Sequence, residues 1–371
     1  MINEDFKIIN GNSFEVLDTL EENSIDAIVT DPPYGLTTIT KRFGGENKDG
    51  SFARLSKGFM GQQWDGSGIE KNVEFWAKVY RVLKPGAFLL AFGGTRTYHK
   101  IASAIEDAGF EIRDCIMRLY GSGFPKNMNI GPTLAKKGEE EASKWNGWGT
   151  QLKPAYEPII VARKPVDETV LNNVLKYGVG GINIEECKGG EDRYPANIIL
   201  TYDENDLEEF NAVCEGMNLG GGKNASRYFY CAKTSKKDRD EGLEEFDEDR
   251  RTDGCIRSNL ETARKYGANS AFGKNTHPTV KPTALMQYLV RLVAPKGATI
   301  LDIFNGSGST GKAVAYENKE RNAHYKYIGI ELDPKFCEIS EARIKYVLES
   351  KDDKQISLFD FDFGEEESNE E

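Results

Sequence analysis

Residues 298–311 read Ala298-Thr-Ile-Leu-Asp-Ile-Phe-Asn-Gly-Ser-Gly-Ser-Thr-Gly311, an apolar run followed by a glycine-rich turn. The run predicts a buried strand over residues 298–304, and the turn leads into a helix. Glycines at such a turn let a ligand approach the backbone closely. A tight connection without a ligand would have the same short glycine pair, so the turn alone does not decide between the two.

A carboxylate ends the next predicted strand: Glu331, which lies about 23 residues after Gly308. At that place a carboxylate can accept hydrogen bonds from both hydroxyls of a nucleoside ribose. The chain lacks the full G-x-G-x-x-G pattern that binds a pyrophosphate. The combination favours a nucleoside without a diphosphate, such as S-adenosylmethionine, over a dinucleotide.

Strand and helix patterns alternate on both sides of this turn, which predicts an α/β fold with a doubly wound, mostly parallel sheet. The predicted strands are residues 6–10, 24–30, 87–92, 110–120, 158–162, 298–304 and 327–331. The predicted helices are residues 14–20, 70–83, 97–108, 283–294 and 334–348. Residues 166–275 are rich in Gly, Asn and charge, and we interpret them as an inserted irregular region between two halves of one domain, residues 1–165 and 276–348.

Composition and charge argue against several classes of protein. The 371 residues carry a formal net charge of −12, which argues against indiscriminate binding of nucleic acid. No stretch approaches the roughly 18 consecutive apolar residues of a membrane span, and the N-terminus lacks the organisation of a secretion signal. We therefore expect a soluble cytoplasmic protein. The six cysteines form no C-x-x-C pair, so we expect neither a metal site nor a disulfide framework.

The motif Asp31-Pro-Pro-Tyr34 follows an apolar strand, which places it at the carboxyl end of the sheet. An exocyclic amino group on a base is a poor nucleophile, because its lone pair is delocalised into the ring. Two acceptors aimed at its N–H bonds would favour the nucleophilic form: the Asp31 carboxylate and the backbone carbonyl of Pro32. Pro32 and Pro33 stiffen the segment, and the Tyr34 ring offers a face on which a base can stack.

Together these motifs resemble the amino-methyltransferases of DNA, in the subgroup where D-P-P-Y precedes the cofactor motif, a circularly permuted order. The segments that match are Thr30-Asp-Pro-Pro-Tyr34, Asn275-Thr-His-Pro-Thr-Val-Lys-Pro282, Asp302-Ile-Phe-Asn-Gly-Ser-Gly308 and Ile328-Gly-Ile-Glu331. Three middle segments resemble the phage-type branch of these enzymes: Ala91-Phe-Gly-Gly-Thr-Arg-Thr-Tyr98, Gly121-Ser-Gly-Phe-Pro125 and Arg227-Tyr-Phe-Tyr-Cys-Ala-Lys233. The likeness spans roughly residues 5–348.

The resemblance implies a Rossmann-like catalytic domain with an inserted target-recognition region, S-adenosylmethionine as the cofactor and DNA as the substrate. It also implies a set of cofactor-binding residues: Asn12, Asp31, His277, Thr279, Lys281, Asp302, Phe304, Gly306, Ser307, Gly308 and Glu331. The segment 277–281 could instead be only the approach to a helix. Asn12 stands where the family usually has Asp, and Ile303 where it commonly has Pro.

A base must leave the duplex to reach such a pocket, which costs a few kcal/mol of unstacking. Contacts with phosphates must offset that cost, and two basic regions offer them. The candidates are Lys41, Arg42, Arg54 and Lys57 in the first region, and Lys223, Arg227, Lys233, Lys236, Lys237 and Arg239 in the second. The basic and aromatic residues at 227–230 equally fit a strand with one core face.

Adenine-N6 methylation is the leading hypothesis, because the family more often has Ser at the position of Asp31 for cytosine-N4 methylation. Cytosine-N4 methylation is therefore the alternative. Enzymes of this general type that modify RNA or a protein amide usually carry Asn at that position and have the cofactor motif upstream. A DNA-binding relic without activity conflicts with the intact Asp31, Tyr34, Gly306, Gly308 and Glu331.

The C-terminal residues 349–371 contain ten acids and two lysines and are predicted to be disordered. They include Gln355-Ile-Ser-Leu-Phe359, which resembles the short motifs that dock bacterial replication and repair proteins on the sliding clamp. The same apolar side chains could instead pack on the enzyme itself or form a homodimer contact.

Overall fold

The computed structural model describes residues 2–35, 68–120, 127–188, 194–202, 229–232, 234–250 and 272–350. Its eleven described strands are β1 (Phe6–Asn10), β2 (Ile25–Thr30), β3 (Leu83–Phe92), β4 (Glu111–Tyr120), β5 (Tyr156–Arg163), β6 (Ile198–Tyr202), β7 (Phe229–Ala232), β8 (Asp249–Arg250), β9 (Phe272–Gly273), β10 (Thr299–Asp302) and β11 (Lys326–Glu331). The described α-helices are α1 (Ser13–Val16), α2 (Val73–Val82), α3 (Tyr98–Asp107), α4 (Ile130–Ala135), α5 (Val170–Tyr177), α6 (Lys236–Asp240), α7 (Thr283–Val293), α8 (Ser309–Arg321) and α9 (Pro334–Glu349).

Nine of these strands form one sheet in the order β1-β11-β10-β2-β3-β5-β4-β6-β7. Every neighbouring pair is parallel except β3–β5 and β4–β5, so β5 alone runs against the others. The short strands β8 and β9 form a separate antiparallel pair. The prediction of a mostly parallel α/β sheet is confirmed.

Helices cover both faces of this sheet. One buried apolar cluster joins the sheet to α7 and α8 through residues such as Leu289 and Val314. A second cluster joins the opposite face to α2 and α3 through Trp76 and Ile105. Such two-sided burial is what near-continuous apolar strands such as β2 require. It also leaves the carboxyl ends of the strands as the open edge for a site.

The predicted elements of the first and last thirds agree with the structure to within a few residues. The predicted helix over residues 14–20 is divided into α1 and a 3₁₀ turn, Leu17–Thr19. The predicted strand over residues 87–92 begins earlier, at Leu83. These are differences at the ends of elements, where helices fray and capping decides the boundary.

The prediction that residues 166–275 are irregular is wrong for part of the range that the structure describes. Composition predicts an irregular insert, yet this range contributes β6 and β7 to the main sheet, next to β4. Strands β6 and β7 of this range are thus continuous with the main sheet, whereas β8 and β9 are separate from it. The C-terminal segment 351–371, with its proposed clamp motif, lies outside the described residues.

Among the residues described, no helix has the length and apolar character needed to cross a membrane.

Candidate active site

Three strands bring the candidate catalytic side chains to one edge of the sheet. Strand β2 ends at Thr30, and Asp31 follows it directly, while β10 ends nearby at Asp302. Strand β5 runs the other way, so its first residues, including Glu157, lie at the same edge. The single reversed strand therefore adds a carboxylate to the site that Asp31 begins.

Lys281 lies at the centre of this group. Its Nζ atom is 2.8 Å from Oδ2 of Asp31 and 3.1 Å from Oε1 of Glu157. The same ammonium donates to the Tyr34 hydroxyl over 3.1 Å, and that hydroxyl donates to Oε1 of Glu157 over 2.6 Å. The ammonium also lies 4.6 Å from the centre of the Phe92 ring. Lys281 thus contacts both the D-P-P-Y motif and β5, although the family resemblance assigned it to the cofactor pocket.

Arg118 holds Glu157 from the other side. The two residues are directly paired across β4 and β5, and Arg118 Nη1 lies 3.0 Å from Oε2 of Glu157. Arg118 Nε in turn donates to the Thr201 hydroxyl on β6 over 3.0 Å. Glu157 is therefore fixed at both oxygens, one by Arg118 and one by Lys281 and Tyr34.

Burial and the neighbouring cations act in opposite directions on the pKa values of the two carboxyl groups. Burial raises the pKa of Asp31 above its ordinary value, and the Lys281 ammonium opposes that rise. Burial would also raise the pKa of Glu157, but Lys281 and Arg118 outweigh it and hold the pKa at about 2. The pKa of Tyr34 is far above its ordinary value because of burial and the two carboxylates, so the phenol stays neutral.

Asp31 has two oxygens in different situations. Oδ2 faces Lys281, whereas Oδ1 is buried and has no hydrogen-bond partner within the described part of the chain. A buried carboxylate oxygen without a donor is costly unless a ligand supplies one. Pro32 and Pro33, directly after it, are both buried. The arrangement can therefore accept an N–H bond from a group that enters this edge.

The glycine turn leads into α8, as predicted, and two of its glycines have left-handed backbone conformations. Gly306 has φ +52° and Gly308 has φ +78°, both in the left-handed region that favours glycine. A Cβ atom on Gly306 would lie 3.0 Å from Nε2 of His277, and one on Gly308 would lie 3.0 Å from the Cα atom of Ser340. The backbone of the turn is thus packed directly against its neighbours.

Glu331 lies beside this turn, as predicted. Its carboxylate accepts the backbone N–H of Gly306 over 2.7 Å and that of Asp333 over 2.8 Å. Burial raises its pKa to about 7. Each oxygen keeps a further lone pair, so the carboxylate can still accept hydroxyl groups of a ligand.

The Asp302 carboxylate accepts its hydrogen bonds from other residues of the protein. Its carboxylate accepts the hydroxyls of Thr30 and Thr310 over 2.7 and 2.6 Å, and the N–H of Phe304 over 3.1 Å. Burial raises its pKa to about 6. These contacts tie the ends of β2 and β10 to α8, next to Asp31. The predicted contact of Asp302 with a cofactor stays a prediction.

The remaining predicted cofactor residues surround the turn in different ways. His277 packs edge-on against Phe336 with ring centres 4.7 Å apart, and burial lowers its pKa to about 3. The backbone N–H of Thr279, which is exposed, donates to Nδ1 of His277 over 3.3 Å. Ser307 is buried, and its carbonyl accepts Nη1 of Arg343 over 2.7 Å.

Two further predicted cofactor residues lie at the rim of this region. Asn12 is exposed and caps α1 by accepting the N–H of Phe14 over 3.0 Å. Phe304 is half-buried, with its ring centre 5.5 Å from that of Phe75 on α2. Each therefore has a structural contact that the sequence did not indicate.

The predicted DNA contacts are placed only in part. Lys236 and Lys237 are exposed on α6, where Lys236 lies 3.0 Å from Glu248. Arg239 is turned inward and donates to the carbonyls of Asn275 and His277. The other candidates lie outside the described residues: Lys41, Arg42, Arg54, Lys57, Lys223, Arg227 and Lys233.

Sequence reasoning missed Glu157 and Arg118. A signal was present, since Glu157 opens an otherwise apolar strand, Tyr156–Arg163, and charged residues are rarely buried without a partner. What the sequence could not supply was the partner, because Arg118, Glu157 and Lys281 are distant along the chain.

Comparisons with known proteins identify the family to which this chain belongs. A family model for N6/N4 DNA methylases matches residues 25–342. The type II methyltransferase M.HindIII of Haemophilus influenzae is 25% identical over 342 residues, which cover 86% of this chain and 89% of that protein. M2.LlaDCHI of Lactococcus lactis subsp. cremoris is 30% identical over 223 residues, which cover 47% and 78%.

Solved structures with a similar arrangement include the PvuII DNA methyltransferase, described as cytosine-N4-specific, with 15% identity, 92% and 86% coverage and a TM-score of 0.47. M1.HpyAVI in complex with S-adenosylmethionine gives 17% identity, 91% and 98% coverage and a TM-score of 0.43. Since the family model spans most of the chain, including Asp31 and the glycine turn, this protein belongs to the N6/N4 family of DNA methylases.

Proposed function

We propose that this DNA methylase transfers the methyl group of S-adenosylmethionine to the N6 amino group of adenine in DNA. The observation that carries the proposal is the buried Oδ1 atom of Asp31, which lacks a donor within the described residues while Oδ2 is held by Lys281. An exocyclic amino group has the N–H bonds that this oxygen needs. The Pro32 carbonyl supplies the second acceptor in the proposal.

The glycine turn and Glu331 fit the proposed cofactor. His277 and Ser340 leave no room for side chains at Gly306 and Gly308, and in the proposal the bare glycine backbone of the turn is what the cofactor approaches. Glu331 would accept the ribose hydroxyls, and His277 would close the pocket against the turn. When bound, S-adenosylmethionine supplies an electrophilic methyl group on a sulfonium centre.

The chain's own residues account for the rest of the reaction. Asp31 would accept an N–H bond of the target and so favour the form in which the nitrogen lone pair is available for attack. Tyr34 offers its ring to the extruded base, while its hydroxyl is fixed by Glu157. We choose adenine over cytosine as the target base because residue 31 is Asp, whereas the family that the sequence resembles more often has Ser there for cytosine-N4 methylation.

The test is a nucleoside digest of DNA after incubation with the full chain and S-adenosylmethionine. N6-methyladenine is the expected product. N4-methylcytosine without N6-methyladenine would replace adenine by the alternative base, and no methylated nucleoside on DNA of varied sequence would contradict the proposal.

We propose roles for two further segments, of which residues 166–275 are described in part and residues 351–371 lie outside the described residues. We assign target recognition to residues 166–275 and clamp docking to Gln355-Ile-Ser-Leu-Phe359, in a bacterial or phage-infected cell, where DNA lies in the cytoplasm. Fluorescence anisotropy of a labelled peptide spanning residues 351–364 with a bacterial clamp tests the docking. Binding no tighter than that of the peptide with Leu358→Ala and Phe359→Ala would favour self-packing or a homodimer contact instead.

A further inference from the structure

Four charged side chains form a chain of ion pairs that begins in the D-P-P-Y motif. The two cations are not shared equally between the two carboxylates. Asp31 and Glu157 carry the negative charges, and Lys281 and Arg118 carry the positive ones. Lys281 forms ion pairs with both carboxylates, whereas Arg118, among the described residues, forms an ion pair with Glu157 and not with Asp31. The side chains of Lys281, Glu157 and Asp31 are 9%, 15% and 20% exposed, so water screens these charges poorly.

We propose that Glu157 is a positioning residue for methyl transfer, which anchors Lys281 and the Tyr34 hydroxyl so that the ammonium engages only Oδ2 of Asp31. The inference rests on the proposed function. It goes beyond the D-P-P-Y motif, because it assigns a role to a residue on a different strand that touches neither Oδ1 nor the face of the Tyr34 ring.

Geometry supports this assignment. Lys281 and Tyr34 both contact the same oxygen of Glu157, at 3.1 and 2.6 Å, and Arg118 fixes the other oxygen at 3.0 Å. An ammonium on a flexible four-carbon stem could otherwise move between the two oxygens of Asp31. Held by Glu157, it leaves Oδ1 as the acceptor for the target amino group.

Charge adds a second consequence. Asp31 must be ionised to accept, and Lys281 is the cation that favours that state, but Glu157 competes for the same cation. Within the described part of the chain, the ionisable groups that face Asp31 directly or through this network are Lys281, Glu157, Tyr34, Arg118, Asp302 and Tyr120. Removing Lys281 must therefore raise the pKa of Asp31, and neutralising Glu157 must lower it.

The experiment follows the single-turnover methylation rate of the full chain against pH, with Glu157→Gln and Lys281→Met compared with the unaltered protein. Glu157→Gln is expected to lower the plateau rate at least about tenfold and to move the acid limb to lower pH. Lys281→Met is expected to move the acid limb to higher pH, by about one unit or more. Loss of rate at every pH without these opposite displacements would overturn the proposal.

The matched control is Glu111→Gln. Glu111 pairs with Arg163 across the same two strands at the other end, 2.6 Å apart, and is more exposed than Glu157. Glu111→Gln should leave the pH profile of the methylation rate unchanged, and a profile displaced as in Glu157→Gln would overturn the proposal.

If thermal melting shows that Glu157→Gln is unfolded, Glu157→Asp replaces it, because this variant keeps the charge and shortens the side chain. A rate at least tenfold lower with unchanged affinity for S-adenosylmethionine supports positioning, and a rate within about twofold of normal overturns it.

Failure of this inference is distinguishable from failure of the proposed function. If the unaltered chain methylates no DNA base, the function is wrong. If it methylates DNA and the variants move the acid limb in the same direction or not at all, only the positioning role of Glu157 is wrong.

Discussion

Asp31 is the residue on which the proposed chemistry depends most directly. Asp31→Ala removes the acceptor for the target amino group but leaves the glycine turn and Glu331 in place. We expect turnover to fall well beyond tenfold, where each factor of ten corresponds to about 1.4 kcal/mol of barrier, while affinity for S-adenosylmethionine changes far less. Steady-state kinetics and calorimetry measure the two effects.

Asp18→Ala is the matched control for that experiment, since Asp18 is 57% exposed and pairs with Lys78 on the surface. Its turnover should stay close to normal. If Asp31→Ala retained more than about a tenth of the normal turnover, the substitution would raise the barrier by at most about 1.4 kcal/mol. Another group would then have to be the key acceptor.

Glu331 makes cofactor binding dependent on pH. Its pKa in the folded chain, about 7, lies above the ordinary value of 4.5, so the folded state holds more protons between those values. Stability of the ligand-free chain should therefore fall as pH rises from about 4.5 to about 7. Ribose binding needs the ionised carboxylate, so the affinity for S-adenosylmethionine should rise over the same range of pH.

Calorimetry checks this expectation for S-adenosylmethionine. From a pKa of about 7, the ionised fraction of Glu331 drops about tenfold between pH 8 and pH 6, and Kd should rise by a similar factor. The component due to Glu331 should disappear in Glu331→Gln. Equal pH dependence in both proteins would remove Glu331 from the ribose site. Asp302, with a pKa of about 6, titrates at the lower end of this range, and the comparison with Glu331→Gln separates its contribution from that of Glu331.

At the scale of elements, the sequence predicts strand positions well in the first and last thirds of the chain, misses β6 and β7, and predicts strand direction poorly. The apolar run at residues 158–162 indicates β5, but nothing in that run shows that it is antiparallel to β3 and β4. Direction depends on how neighbouring strands pair across the sheet. Because direction places Glu157 at the catalytic edge, that residue could not be assigned to the site before the structure.

The glycine turn shows the opposite case, since its conformation follows from its sequence. Gly308 has φ +78° with the Cα atom of Ser340 3.0 Å from an added Cβ, whereas Gly297 has φ +81° and open space around it. Alanine at either position pays about 1–2 kcal/mol for the left-handed conformation. Gly308→Ala must also displace backbone of α9.

We expect Gly308→Ala to lower the free energy of unfolding by about 2 kcal/mol more than Gly297→Ala does, and to weaken binding of S-adenosylmethionine. Urea unfolding and calorimetry measure the pair. Equal destabilisation would mean that Ser340 moves aside without cost. Unchanged cofactor affinity would mean that the turn does not approach the ligand closely.

For the whole molecule, helix α6 links the segment assigned to DNA recognition with the cofactor half. Asp238 on this helix accepts the N–H of Thr283, over 3.0 Å, and lies 2.8 Å from Nζ of Lys312. Burial would raise the pKa of Asp238, but Lys312 and Arg343 outweigh it and hold the pKa below its ordinary value. Arg343 in turn donates to the carbonyl of Ser307 in the glycine turn. Composition could not reveal this docking, because a charged segment predicts solvent exposure unless its partners are known.

Since Asp238 anchors α6 and both lysines are exposed, we expect substitutions of Lys236 and Lys237 to leave the fold intact. If Lys236 and Lys237 contact phosphates, Lys236→Gln with Lys237→Gln should weaken DNA binding for every sequence. Each lost contact makes the slope of log affinity against log salt shallower by about 0.9, so the double variant should lose up to about 1.8. Anisotropy with labelled duplex DNA at about 50 to 200 mM salt gives the slope.

Lys100→Gln, at an exposed lysine on α3, is the control and should leave the slope unchanged. An unaltered slope in the double variant would show that DNA does not follow α6, and the basic residues of the first region, Lys41 and Arg42 among them, would then be the ones to test.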